Sequence, residues 1–444
     1  MNERIVLPEK IYVLAGGGER FEQFHLYFRN AVVGLAADET VNVICDYGRQ
    51  YRDFWRIEPG SEASPHYSIA QGEFPLRLQI LDRDLELIAE RETRIVIVPA
   101  TELEPVRMLC IGDSITRGGG YVQHVQESLP WIRTVGTRTY DDGQVNREGR
   151  GGWTAENYLR RAGEPEGGDS PFLFPAGSET ESGRSFYWGN ANFWKRVLGE
   201  NPRGYDYEGF QHAARDRRDA TNPYRIGPDG YPFAPAVGDT ICDPSRGSGA
   251  SVCRWDGTEW KPMRPQPRWE FDFARYLERF GVELPQVVTF LFGANEFQIS
   301  ERTDESMDAY LGSIQRMIDA VHACDPAIRI VIHMPVAGAD QDAWGRQLGC
   351  AGSAARYRRN MQEAGRAIMR RWDHEEARRR GIAVCPLLAV VDPDYGFDSS
   401  AEPVNKYVAA TVERPIDWVH PGAAGHRQMG DALAATVQGI MSGL

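Results

Sequence analysis

The stretch Met108-Leu-Cys-Ile-Gly-Asp-Ser-Ile-Thr-Arg-Gly-Gly-Gly120 changes character at its centre. An apolar run ends at Ile111, and small polar residues follow at once. A short apolar run closed by glycine is the pattern of a strand buried on both faces, as in a parallel sheet. The Gly-Asp-Ser that comes next reads as a tight turn opening a helix, since Asp and Ser are preferred at helix N-termini. A strand running straight into a helix begins a βαβ unit, so the stretch predicts an α/β domain. Alone it leaves open whether Ser114 caps a helix or is a nucleophile.

Working outward, the same alternation continues to the end of the chain. "VRMLCIG", "WIRTVGT", "QVVTFLFG", "IRIVIHMP" and "IAVCPLLAVV" are candidate parallel strands. Between them, "DESMDAYLGSIQRMIDAVHAC" and "ARYRRNMQEAGRAIMRRWDHEEARRRG" carry helical periodicity. Residues 104–444 are therefore expected to form a three-layer α/β/α domain with a parallel sheet and right-handed crossovers. Upstream the pattern is all-β: "KIYVLAG", "FHLYFRNAVVG", "VNVICDYG", "FPLRLQILD" and "RIVIVPA" are short runs between Gly, Asp and Pro turns. That spacing predicts a β-sandwich over 1–103. Residues 163–268 fit neither pattern, being rich in Gly, Pro, Asp and aromatics, and they read as an ordered insertion. Within it "RWDGTEW" predicts a hairpin turning at Asp256-Gly257.

Composition bounds the partners. With 42% hydrophobic and 25% charged residues the balance is that of a globular protein, and the formal net charge of −13 argues against nucleic acid or an anionic membrane surface. The N-terminus lacks an apolar core of signal-peptide length, and no run reaches membrane-spanning length. A cytoplasmic protein is expected, although a chain trimmed of a leader would read the same. The seven cysteines form no Cys-x-x-Cys pair, and no His-Glu-x-x-His occurs, so neither a metal nor a cofactor is expected. Cys242 and Cys253 flank a turn-rich segment and are candidates for pairing in an oxidising setting. Nothing in the sequence indicates an oligomeric state.

Four patterns fall at predicted strand ends, where one edge of a parallel sheet would gather them. They are Gly112-Asp113-Ser114, then "NREGRGGWTAENYL" with Gly152, then "FLFGANEF" with Asn295, and finally "DWVHPGAAGH" with Asp417 and His420. The residue types are those of acyl transfer. A serine hydroxyl attacks, a histidine moves its proton, and a carboxylate orients the imidazole. The N–H groups of Ser114 and Gly152 and the amide of Asn295 would stabilise the oxyanion.

In this order the four patterns resemble the blocks of the SGNH (GDSL-type) hydrolase superfamily, over about residues 105–444, and in particular its multi-domain carbohydrate esterases. The resemblance implies an SGNH-hydrolase-like fold in which Ser114, His420 and Asp417 are catalytic, with Ser114, Gly152 and Asn295 forming the oxyanion hole. It further implies a serine-dependent ester hydrolase removing a short acyl group, acetyl first, from a carbohydrate or related alcohol. The substrate would be a small-molecule or glycan ester. A lipase, thioesterase, general carboxylesterase or acyltransferase is the alternative within the fold, and a non-catalytic carbohydrate-binding protein the alternative outside catalysis. The sequence departs from the family where Gly-x-Asn-Asp becomes Gly293-Ala294-Asn295-Glu296. Gly149 and Gly151 also compete with Gly152 as donor.

Asp113 and Glu296 are expected to support the site by hydrogen-bonding backbone rather than by moving protons. Trp153, Trp188 and Trp194 are candidates for stacking on a sugar, as are Trp255 and Trp260, against the alternative that they form the insertion's own core. His333 is expected to be a hydrogen-bonded core histidine, and His426 a structural residue of the last helix.

Overall fold

The computed structural model describes residues 4–15, 23–58, 71–138, 145–160, 170–176, 187–188, 235–242, 252–298 and 304–444. Trp194 and most of 163–268 lie outside them. In chain order the N-terminal region holds β1 (Lys10–Ala15), β2 (Phe24–Tyr27), α1 (Phe28–Ala31), β3 (Thr40–Ile44), β4 (Arg49–Gln50), β5 (Phe54–Ile57), β6 (Gly72–Leu81) and β7 (Leu87–Pro99). The quoted stretch opens the next series: β8 (Val106–Gly112), α2 (Ser114–Gly118), α3 (Gly120–Ser128), β9 (Ile132–Val135), β10 (Glu148–Gly149) and α4 (Ala155–Arg160). Short strands follow: β11 (Leu173–Pro175), β12 (Tyr187–Trp188), β13 (Thr240–Cys242), β14 (Val252–Trp255), β15 (Trp260–Pro262) and β16 (Trp269–Phe271). The chain then runs through α5 (Phe273–Phe280), β17 (Val287–Leu291), α6 (Asp304–Cys324), β18 (Arg329–His333), α7 (Gln341–Leu348), α8 (Ala354–Trp372), α9 (Glu375–Arg379) and β19 (Ile382–Cys385). It ends with α10 (Leu387–Val390), β20 (Ser399–Asn405), β21 (Val408–Pro415) and α11 (Ala423–Met441).

The central sheet is parallel, in the order β8, β17, β18, β19, with β9 and β10 sharing the far edge of β8. Its central strands are mostly apolar because both faces are covered, and alternate residues enter different cores. Leu109, Ile111, Val288, Phe290, Ile330 and Ile332 pack with Ile314 and Met317 of α6 and Met361 and Ile368 of α8. Met108, Cys110, Val287 and Val331 pack on the other face with Tyr121 and Val125 of α3 and Met429 and Leu433 of α11. Phe290 pairs with Ile111 and Leu291 with Gly112, so β8 and β17 end level with each other. That register is what brings the segments after them together.

The N-terminal strands form two sheets, β1-β7-β6-β3 and β2-β5-β4. Ile11, Val13, Leu26, Trp55, Ile57, Leu76, Leu78, Ile95 and Ile97 share one core, each of these side chains contributing roughly 1.5–3 kcal/mol by leaving water. The opposite face of β1 and β7 carries Tyr12, Leu14, Val96 and Val98, which join the α11 side of the central sheet's core. Polar stitches add to this seam. Gln362 Nε2 of α8 donates to the Val32 carbonyl at 2.8 Å, and Asn30 Nδ2 donates to the Val391 carbonyl at 2.9 Å.

Three local expectations change. "FHLYFRNAVVG" is not one strand, because Phe28–Ala31 turns into a single helical turn whose Asn30 is buried. The helix expected to run to Arg380 stops at Trp372. Asp373 accepts a hydrogen bond from the Glu9 N–H at 2.6 Å, and His374 starts a new helix by accepting from Ala377 N–H at 3.3 Å. In "IAVCPLLAVV" only Ile382–Cys385 is strand, and after Pro386 the chain forms α10. The expected hairpin is present: Asp256 Oδ1 accepts from the N–H groups of Thr258 at 2.8 Å and Glu259 at 2.9 Å. Across β13 and β14, Cys242 stands opposite Val252 and Cys253 opposite Ile241.

Candidate active site

The turn after β8 answers the question about Ser114. Asp113 is the N-cap of α2, its Oδ1 accepting from the Ile115 N–H at 2.9 Å. Ser114 is therefore the first helical residue, and its hydroxyl is left for other work. The turn is tight enough to require Gly112, since a Cβ there would stand 2.2 Å from Thr116 Oγ1 and 2.6 Å from the Leu291 carbonyl oxygen.

Ser114 Oγ lies 2.8 Å from His420 Nε2, and His420 Nδ1 lies 3.0 Å from Asp417 Oδ2. These three half-buried residues come from two loops separated by 306 positions in sequence. Asp417 is itself held by its own loop, with Oδ1 accepting from the N–H groups of Val419 and His420, each at 2.9 Å. Burial works against charge on Asp417, but the hydrogen bonds from the His420 ring and the two N–H groups outweigh it and keep the carboxyl below its usual range. The hydrogen bond with Asp417 in turn raises the proton affinity of His420, against the cost of burial.

The expected donors Gly152 and Asn295 lie on the segments that follow β10 and β17. Gly152 has φ of +76°, a left-handed conformation that favours glycine, and the space where its side chain would stand is open. Its rivals are less suited. Gly149 sits inside β10 opposite Gly112, and Gly151 is covered by the Arg117 side chain. Asn295 Nδ2 donates one hydrogen bond to the Trp153 carbonyl at 2.8 Å, which fixes the amide plane and leaves its second N–H.

Glu296 ties these two loops together despite its extra methylene. Oε1 accepts from the Ala155 N–H at 2.7 Å and Oε2 from the Gly293 N–H at 2.9 Å. Burial pushes its carboxyl up to about 7, and burial does the same to Asp113, also to about 7. Both are anchors of loop backbone.

Beneath the glycine loop is a set of residues that the sequence reading did not single out. Glu148 is fully buried and accepts from Thr137 N–H at 2.7 Å, Tyr276 hydroxyl at 2.7 Å and Arg150 Nη2 at 3.1 Å. The Tyr158 hydroxyl is within hydrogen-bond distance of the carbonyls of Gly112 (2.8 Å) and Glu148 (2.6 Å), and so joins β8 to β10. Charged "NREGR" carries no signal of burial, because its partners are distant in sequence.

The aromatic candidates separate. Trp153 is buried at 2% exposure, edge-on to Tyr158 at 5.0 Å, so its ring belongs to the core and is not presented to a sugar. Trp255 and Trp260 pack on each other across the hairpin at 5.2 Å. Trp188 ends β12, its side chain outside the described residues, as is Trp194. His333 is a core histidine but not a hydrogen-bonded one. Both ring nitrogens are buried without a hydrogen-bond partner among the described residues, and burial lowers its pKa to about 3. His426 stacks on Tyr121 at 6.4 Å in α11. No group of three or more metal-ligating side chains occurs among the described residues, and no helix among them is long and apolar enough to cross a membrane.

Comparison with known proteins agrees with the motif reading. Residues 253–428 match the model of the GDSL-like Lipase/Acylhydrolase family, a span that includes Asn295, Asp417 and His420 and begins after Ser114 and Gly152. No curated relative matches the chain. Among solved structures, a possible lipase from Chitinophaga pinensis is 12% identical with a TM-score of 0.31, covering 74% of this chain and 97% of its own. A carbohydrate esterase family 3 protein from Talaromyces cellulolyticus is 13% identical with a TM-score of 0.32, covering 76% and 99%. A family two carbohydrate esterase from Clostridium thermocellum, in complex with cellohexaose, is 12% identical with a TM-score of 0.30, covering 95% and 92%. These likenesses are distant, and the chemistry rests on this chain's own residues.

Proposed function

We propose that this chain is an ester hydrolase that works through a serine acyl-enzyme, removing a short acyl group, acetyl first, from a carbohydrate or related alcohol; the match of residues 253–428 to the GDSL-like Lipase/Acylhydrolase family supports the hydrolase reading. The observation that carries the serine mechanism is the 2.8 Å separation of Ser114 Oγ and His420 Nε2, with Asp417 behind the ring. A non-catalytic binding protein on the same fold has no need of that alignment.

In the proposed reaction Ser114 Oγ attacks the ester carbonyl carbon while His420 Nε2 takes its proton. The oxyanion accepts hydrogen bonds from Ser114 N–H, Gly152 N–H and Asn295 Nδ2. Collapse expels the alcohol, which receives the proton from His420, and leaves the acyl group on Ser114. Water then gives a proton to His420 and attacks the acyl-enzyme. The carboxylic acid leaves, and the proton returns to Ser114. Asp417 holds the ring with Nδ1 protonated throughout and stabilises the imidazolium between steps.

The carbohydrate part of the reading is supported by the β-rich region 1–103 fused to a hydrolase region 104–444 of three-layer SGNH type, and by the aromatic-rich insertion 163–268. The partner is then a small-molecule or glycan ester. Turnover of 4-nitrophenyl acetate by the wild type, with its loss in a folded Ser114→Ala variant, tests the mechanism. Equal slow turnover by both proteins overturns it. A panel of acyl esters of increasing chain length, with acetylated glycans and direct measurement of acetate, separates an acetylesterase from a lipase, thioesterase or general carboxylesterase. Transfer to an added alcohol in place of water marks an acyltransferase.

A further inference from the structure

Arg117 lies three residues after the nucleophile, in the last turn of α2, and its side chain is exposed. The guanidinium rests on the donor loop: a Cβ built on Gly151 would stand 2.7 Å from Arg117 Nη1 and 3.2 Å from Cζ. The missing side chain at Gly151 is thus the seat of the guanidinium, immediately beside Gly152. The backbone under it is held from both sides. Its N–H donates to the Asp113 carbonyl at 2.9 Å, and its own carbonyl accepts from buried Arg147 through Nε at 3.0 Å and Nη2 at 2.7 Å.

No carboxylate pairs with this guanidinium among the described residues, and no hydrogen bond engages it. Arg160, Arg379 and Arg414 are each ion-paired, to Glu156, Glu375 and Asp342. In a chain of formal net charge −13 acidic residues are plentiful, yet among the described residues none is placed here. The charge is close enough to the triad to oppose protonation of His420, where Asp417 and Asp113 favour it. A guanidinium presents a planar fork of donors that matches carboxylate, sulfate or phosphate.

We propose that Arg117 is a specificity residue that receives an anionic group of the substrate, so that the preferred ester carries a carboxylate, sulfate or phosphate near the scissile carbonyl. This rests on the reading of Ser114 as nucleophile. The charge has two possible sources, the acyl group or the alcohol, and both present the same chemistry to the arginine.

Two matched pairs of substrates test it. 4-Nitrophenyl acetate against 4-nitrophenyl hydrogen succinate places the charge on the acyl side. An acetylated methyl glucoside against the acetylated methyl glucuronide places it on the alcohol side. The wild type is expected to favour the charged member of one pair in kcat/KM, mainly through KM. Arg117→Gln should lower that charged-to-neutral ratio about tenfold, the low end for a hydrogen bond between ions because the site is exposed. Arg117→Lys should keep part of the preference, Arg117→Glu should invert it, and added salt should shrink it. A wild type that favours neither charged ester, or a Gln variant whose ratio stays within about twofold of wild type, less than such a contact is worth, overturns the proposal. The two readings fail separately. Wild type that hydrolyses neither the neutral nor the charged member of either pair defeats the serine mechanism, whereas neutral hydrolysis without charge discrimination defeats only the role of Arg117.

Discussion

Replacing Asp417 by Asn removes a charge while keeping the shape of the loop that carries Asp417 and His420. The Asn carbonyl oxygen can still accept from the Val419 and His420 N–H groups, which now contact Oδ1 at 2.9 Å. That choice turns the amide NH2 toward His420 Nδ1, where Asp417 Oδ2 now stands at 3.0 Å. A donor facing Nδ1 requires an unprotonated Nδ1, so the ring proton moves to Nε2. Nε2 is the atom 2.8 Å from Ser114 Oγ, and once protonated it cannot take the serine proton. A wrong tautomer of this kind costs about 10⁴ in kcat, roughly 5.4 kcal/mol of activation free energy. A second effect is visible in the pH profile. His420 acts as base only when neutral, and its proton affinity is raised chiefly by the Asp417 hydrogen bond. Wild-type activity should therefore climb as pH rises through a value above the ordinary histidine range, and in the Asn variant that limb should move to lower pH. Steady-state hydrolysis of 4-nitrophenyl acetate from acid to alkaline pH reads both quantities, with circular dichroism as the control for folding. A variant within about tenfold of wild type, far short of the loss expected from a wrong tautomer, and with an unmoved limb would refute the assignment of Asp417 as the partner of His420.

Two other substitutions probe the loops around the triad. Asn295→Ala removes one of the proposed oxyanion donors and should lower kcat about 10²–10³-fold with KM little changed, and a loss confined to KM would argue against the donor role. Glu296→Gln tests the buried carboxyls through stability. Burial raises Glu296 from 4.5 to about 7 and Asp113 from 3.8 to about 7, so the folded state holds these protons more tightly than the unfolded chain. Their contribution to stability is full below about pH 4 and is lost as pH rises through about 7. The Gln variant, with one of the two ionisations gone, should show a shallower fall of Tm across that window. It should also be less stable at acid pH, by about 1–3 kcal/mol, because its NH2 faces a backbone donor. An unchanged slope places the titration elsewhere.

Much of the site was legible because its residues announce themselves locally. Ser114 follows a strand and a glycine, Asp417 and His420 are three residues apart, and Asn295 ends an apolar run, so each could be placed at a strand end by pattern alone. The helix break at Asp373 was not legible, since its cause is the N–H of Glu9, 364 residues earlier. The burial of Glu148 and Arg150 was hidden for the same reason: charge reads as exposure until the partner from another element is known. Trp153 shows the converse, an aromatic whose place in the core could not be told from a place in a binding surface.

The α/β order of the chain, the β-rich start and the identity of the chemical groups could be read from the residues in order, because periodicity and turn chemistry act over a few residues. It takes the folded chain to show that Asp113, and not Ser114, caps α2, that the N-terminal strands share a core with α11, and what the run Gly118–Gly120 is for. A Cβ on Gly119 would stand 2.7 Å from Arg147 Cζ, and one on Gly120 2.9 Å from His426 Cγ. Those side chains reach the turn from β10's edge and from the last helix. The glycines are there to let distant parts of the chain come close, and closeness of that kind is a property of the folded chain.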